Sequence, residues 1–141
     1  MYQDGNYRTE DEVNENKIAE LVSARWKCEL IRQDHYDSFD YIAMRNGEIL
    51  SFVEVRSRTH EYGKFPDCFI SLTKMLRANE LTQTTGLPCF FVVSWTDNVG
   101  WINLDFKPRL VRSGKEWNRR NNPKVSELLG SIPIEKFVKF N

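Results

Sequence analysis

The stretch Asp40-Tyr41-Ile42-Ala43-Met44-Arg45-Asn46-Gly47-Glu48-Ile49-Leu50-Ser51-Phe52-Val53-Glu54-Val55-Arg56 decides how this chain reads. Asn-Gly is a favoured two-residue hairpin turn, and apolar residues flank it on both sides. An antiparallel pair is therefore predicted, from Phe39 to Met44 and from Ile49 to Val55. Asp40 falls on the first strand, on the face of Ile42 and opposite Phe39 and Tyr41. Glu54 falls on the second strand, and Arg56, two residues on, shares its face. A carboxylate at Asp40 needs a partner or a cation. Two carboxylates on neighbouring strands suit a hard divalent cation, and a nearby positive group can orient water or steady phosphate charge. Together they suit hydrolysis of a phosphodiester. The competing reading of Glu54 is an ion pair with Arg56 or Arg45, and that of Asp40 is a turn cap.

Outward from the hairpin, a helix is predicted from Glu12 to Lys27, with Val13, Ile18, Leu21, Val22 and Trp26 as its apolar stripe. Acidic residues crowd its first turn, which suits the helix dipole. Cys28 to Gln33 reads as a strand. Residues 57–69 read as polar and irregular, with Gly63 and Pro66 as breakers. Ser71 can cap a second helix through Thr82, carrying Leu72, Met75, Leu76 and Leu81, and Gly86-Leu87-Pro88 ends it. Cys89 to Trp95 is almost continuously apolar, as in a central strand buried on both faces. Val99 to Leu104 follows as another strand. Residues 105–125 form a basic segment that includes Lys107, Arg109, Arg112, Arg119, Arg120 and Trp117. It reads either as a track for a phosphate backbone or as a solvated loop. Pro133 favours an extended edge position over a central strand.

The acidic residue, the Glu-x-basic triplet and the order helix, three strands, helix, two strands resemble the PD-(D/E)XK nuclease superfamily. The resemblance spans about 12–104, with a weaker echo to Phe140. It implies an α/β, restriction-endonuclease-like fold, in which a mixed central sheet is flanked by two helices. It also implies one domain over residues 1–141, with 105–141 as a C-terminal extension. Implied metal ligands for Mg2+ or Mn2+ are Asp40, Glu54 and the Val55 carbonyl. Asp37 is a rival for Asp40. Arg56 stands where the family carries lysine; arginine keeps the charge but cannot serve as a general base. Arg58 can share the face of Arg56, Lys64 or Lys74 can supply a migrated ammonium, and Lys74 sits on the second helix where such nucleases often carry a polar or basic residue. Glu15, with Glu20 as its rival, matches the family's helix-borne glutamate. The implied activity is metal-dependent cleavage by an endo- or exonuclease, with DNA as the default substrate and a homodimer where both strands are cut. The alternative is a catalytically inactive nuclease-fold module that binds nucleic acid or a protein. A viral assembly protein is a third reading.

Composition sets the outer bounds. Lys plus Arg and Asp plus Glu balance at 20 each over 141 residues, so nucleic-acid binding must be argued from local charge. The longest apolar run is far short of the ~18 residues of a membrane span. The polar start Met1-Tyr2-Gln3-Asp4 lacks the form of a signal peptide. Cys28, Cys68 and Cys89 form no CxxC pair, so they are expected to be reduced, in a cytoplasmic protein. His35 and His60 have no metal-ligand spacing. Tyr62, Phe65, Trp95, Trp101 and Trp117 read as core or loop packing ahead of base-stacking platforms, with Tyr62 and Trp117, set among polar neighbours, as the best exceptions.

Overall fold

The computed structural model describes residues 10–34, 39–113 and 127–140. Helix α1 (Glu10–Trp26) leads into β1 (Glu29–Arg32), β2 (Tyr41–Arg45) and β3 (Glu48–Ser57). Strand β4 (Asp67–Ser71) runs directly into α2 (Leu72–Thr85), followed by β5 (Cys89–Ser94), β6 (Val99–Asn103), β7 (Arg109–Arg112) and β8 (Leu128–Pro133). A short 3-10 turn (Ile134–Lys136) precedes β9 (Val138–Lys139). Local chemistry sets several boundaries. Asn46 and Gly47 both adopt positive φ, 53° and 80°, as a two-residue hairpin turn requires. The Ser71 hydroxyl accepts the Lys74 N–H at 3.2 Å and caps α2. Gly86, at φ 75°, closes that helix with its N–H on the Thr82 carbonyl.

Six strands form the main sheet in the order β1-β2-β3-β5-β6-β9, and β4-β8-β7 form a smaller one. Every pairing is antiparallel except β3 with β5, where Val53 to Ser57 run alongside Phe90 to Ser94. A parallel pair needs a crossover, which β4 and α2 supply. Period-two alternation then sorts the side chains of β3. Val53 and Val55 join Ile18, Ala19, Val22, Tyr41, Ala43 and Val92 in a core under α1. The other face packs Phe91, Val93, Cys89 and Ile102 against Met75 and Ala78 of α2 and Ile70 and Ile132 of the smaller sheet. Glu54, between the two valines, is thus directed toward the α2 side.

The structure departs from the sequence reading in four places. First, residues 67–71 are a strand, so the order gains β4 before α2. Second, Arg109–Arg112, read as part of a basic loop, is β7. Third, β8 is the middle strand of its sheet; Pro133, expected at an edge, is its last residue, opposite Asp67. Ile132 and Phe137 are buried, so β8 and the turn that follows it contribute side chains to the core. Fourth, the helix stripes shift. Val13, Leu21 and Leu76 are exposed, while Ala19 and Ala78 are buried, because close approach to the sheet selects small residues. All three cysteines are free thiols. Among the described residues no helix is long and apolar enough to cross a membrane.

Gly130 sits in the middle of β8, where an added Cβ would lie 2.8 Å from Pro108 Cγ and 3.4 Å from Ile70 Cγ2. Gly130→Ala should therefore lower the unfolding free energy by about 1–3 kcal/mol. Urea unfolding followed by tryptophan fluorescence measures it; an unchanged midpoint would show that the Pro108 segment yields freely.

Candidate active site

Strand β2 stops pairing with β3 at Tyr41, opposite Val53. The next residue of β3 whose N–H and C=O face the β2 side, Val55, thus loses its ladder neighbour there, and those groups must find other partners. Asp40, the residue just before β2, supplies one: its Oδ2 accepts the Val55 N–H at 3.2 Å. Arg56 supplies the other, with Nη1 donating to the Val55 carbonyl at 3.0 Å. This corrects the expected placement of Asp40 within the strand. Phe39 packs on the α2 side and Tyr41 on the α1 side, so the chain turns at Asp40 and the alternation begins after it.

Glu54 is buried, at 1 % exposure. Its Oε2 lies 2.5 Å from Arg56 Nη2 and its Oε1 lies 3.3 Å from Lys74 Nζ. Both are charge pairs, and Lys74 also hydrogen-bonds to the carboxylate. Arg56 Nη1 also lies 3.3 Å from Asp40 Oδ2. One guanidinium therefore touches Asp40, the Val55 carbonyl and Glu54. Burial raises the Glu54 pKa above its ordinary 4.5, Arg56 opposes that, Asp40 adds to it, and Lys74 opposes it again.

Lys74 reaches the site from the first turn of α2, fixed by the Ser71 cap, and its ammonium also lies 5.1 Å from the centre of the Phe39 ring. The other candidate cations go elsewhere. Arg58 donates to the Phe69 carbonyl at 3.2 Å, and Lys64 lies over the Phe65 ring. Arg45 is no partner of Glu54; it caps the end of α1 through the carbonyls of Trp26 and Lys27.

Glu15 stands one layer behind. It pairs with Arg32 at 3.6 Å. Burial raises its pKa above 4.5, the Asp40 charge adds to that, and Arg56 and Arg32 oppose it. Its rival Glu20 is exposed. The sequence reading missed the network that holds this region. The Tyr41 hydroxyl donates to Asn16 Oδ1 at 2.8 Å and accepts from Arg32 Nη2 at 3.0 Å. Those residues come from three elements, and no local spacing announces them. His60 packs edge-on against Phe65. Tyr62 packs on Trp95 with Lys139 over its ring, so it is a packing residue and not an open stacking platform. Asp37, His35 and Trp117 lie outside the described residues.

Among the described residues no three His, Cys, Asp or Glu side chains converge as a metal cluster. The donors that do converge are two carboxylates and a backbone carbonyl, an all-oxygen set of the kind hard divalent cations take. Glu54, a buried carboxylate whose two oxygens already face cationic groups, fits such an ion. An apolar groove of about 310 Å³, lined by Trp26, Leu50, Phe90 and Trp101 among others, contains none of these residues.

This is the fold of the restriction-endonuclease-like proteins. The structure of Hjc from Archaeoglobus fulgidus, a Holliday junction resolvase from an archaeal hyperthermophile, superposes with a TM-score of 0.57 over 91 % of this chain and 90 % of that one, at 11 % identity. No curated protein matches at the level of sequence. Residues 3–140 match the family described as "Phage putative PDDEXK endonuclease", and the chain belongs to that family. Family and fold make it a nuclease of the metal-dependent PD-(D/E)XK class.

The raised pKa of Glu54 has a consequence for stability. The folded protein holds this proton more tightly than the unfolded chain does, so stability falls as pH rises from 4.5 through the folded value. Below 4.5 both states are protonated and the effect vanishes. Glu54→Gln should remove that slope. Urea unfolding of chelator-treated protein from acid to neutral pH should show the variant gaining on the parent as pH rises; parallel curves would contradict it.

Proposed function

We propose that this chain hydrolyses phosphodiester bonds in DNA at the Asp40–Glu54 site. What carries this is the convergence of two carboxylates and the Val55 carbonyl on one guanidinium, at the point where β2 leaves β3. Asp40, Glu54 and the Val55 carbonyl would hold Mg2+ or Mn2+. The bound ion would supply a lowered water pKa and stabilisation of phosphate charge. Lys74 takes the place of the family's motif lysine, reaching Glu54 from α2 while Arg56 occupies the lysine's position in the strand. Its ammonium orients the attacking water or steadies the leaving charge. Glu15 acts through Arg32 and the field at Asp40, as a positioning residue. DNA as substrate is supported by the family and by the resolvase likeness. Cutting both strands of a duplex needs two such sites, which a pair of chains supplies. The free thiols and the phage family fit action in the cytoplasm of an infected cell.

Cleavage of single-stranded, duplex, branched and RNA substrates with Mg2+ or Mn2+ tests this. Asp40→Ala and Glu54→Ala should reduce cutting to background, and Lys74→Ala should slow it by about a hundred- to a thousand-fold. Cutting that survives Asp40→Ala would sink the assignment.

One observation favours a second reading, a non-cleaving module: Arg56 spans the oxygens that would hold the ion. Arg56→Lys separates the two. Cleavage gained from none points to a degenerate site, whereas cleavage reduced from a measurable rate makes arginine a working residue.

A further inference from the structure

Arg56 is the cation of this site as it stands. Nη1 lies 3.0 Å from the Val55 carbonyl and 3.3 Å from Asp40 Oδ2, and Nη2 lies 2.5 Å from Glu54 Oε2. Those are the same three oxygens assigned above as metal donors, and the inference rests on that assignment. A divalent ion held by these donors would sit within contact distance of the guanidinium, next to a carboxylate with 1 % exposure, where charges are weakly screened. The donors cannot serve both cations at once.

We propose that Arg56 is a tethered competitor for the divalent cation, and that loading the site requires the guanidinium to swing out. The two partners differ in their access to solvent. The Arg56 side chain is 39 % exposed and open to solvent, whereas that of Glu54 is 1 % exposed. Lys74 stays on the other Glu54 oxygen, so the buried carboxylate keeps a counter-charge while Arg56 leaves. The fork shape of the guanidinium matters, because its two nitrogens reach acceptors on both sides of the strand end; a lysine ammonium is a single point. Arg56 thus bridges the three oxygens while no ion is bound and lowers metal affinity in proportion to the closed fraction.

Mn2+ titration, followed by loss of the free-ion electron paramagnetic resonance signal, tests this on unaltered protein, Arg56→Ala and Asp40→Ala. Arg56→Ala should bind Mn2+ at least about tenfold more tightly than the parent. Sub-denaturing guanidinium chloride should reverse the gain, where equal sodium chloride does not. Asp40→Ala should lose binding. Unchanged or weaker binding by Arg56→Ala, with binding lost in Asp40→Ala, would overturn the competition and leave the donor set standing. A gain that guanidinium does not reverse would reduce Arg56 to simple charge repulsion and also overturn it. Undiminished binding by Asp40→Ala would remove the donor assignment itself. Should Arg56→Ala fail to fold, 15N resonances of the Arg56 side chain in the unaltered protein decide the matter. They should move with Mg2+ occupancy, and their staying fixed at saturation would refute the swing.

Discussion

A carboxylate held at 1 % exposure beside the parallel strand pair constrains everything around it. Glu54 lies on the face of β3 that meets α2, among Phe91, Val93 and Met75. Removing an ionised group from water that far is unfavourable unless opposite charges accompany it. Arg56 and Lys74 provide those charges from opposite sides, one from the same strand and one from the helix that crosses over it. An apolar residue would pack there with less difficulty. A buried charge at this position therefore obliges the fold to bring both cations to it.

The second requirement is a strand that ends early. Had β2 continued alongside β3, Val55 would have spent its N–H and C=O on a ladder, and Asp40 would have faced a neighbouring strand. Because pairing stops at Tyr41, a side chain takes the place of a strand at each group. The site is a frayed sheet edge in the interior of the sequence order, which is why polar atoms gather where the core would otherwise close.

The features legible in the sequence were those with a local cause. Asn46-Gly47, the Ser71 cap and Gly86 each act within a few residues, and all three sit where expected. The apolar run of β5 was equally plain, since a strand covered on both faces has no polar side. By contrast, Asp67-Cys68-Phe69-Ile70-Ser71 is short and follows breakers, and it becomes a strand through pairing with β8, some sixty residues on. At the site, Asp40, Glu54 and Arg56 could be singled out as a group because a hairpin joins them. That Lys74 reaches Glu54 while Arg58 and Lys64 do not depends on how α2 crosses the sheet, which no spacing in the chain encodes. The Asn16–Tyr41–Arg32 contacts were hidden for the same reason.

Strand β4 ends at Ser71 and α2 begins at Leu72, with Ser71 serving as both the last strand residue and the helix cap. No loop lies between them to absorb a displacement. The start of α2, which carries Lys74, is therefore tied to the small sheet, which is itself stitched along five register pairs from Asp67 to Ser71. The reach from Lys74 to Glu54 is thus set from the strand that carries Ser71 as much as from the helix that carries the lysine.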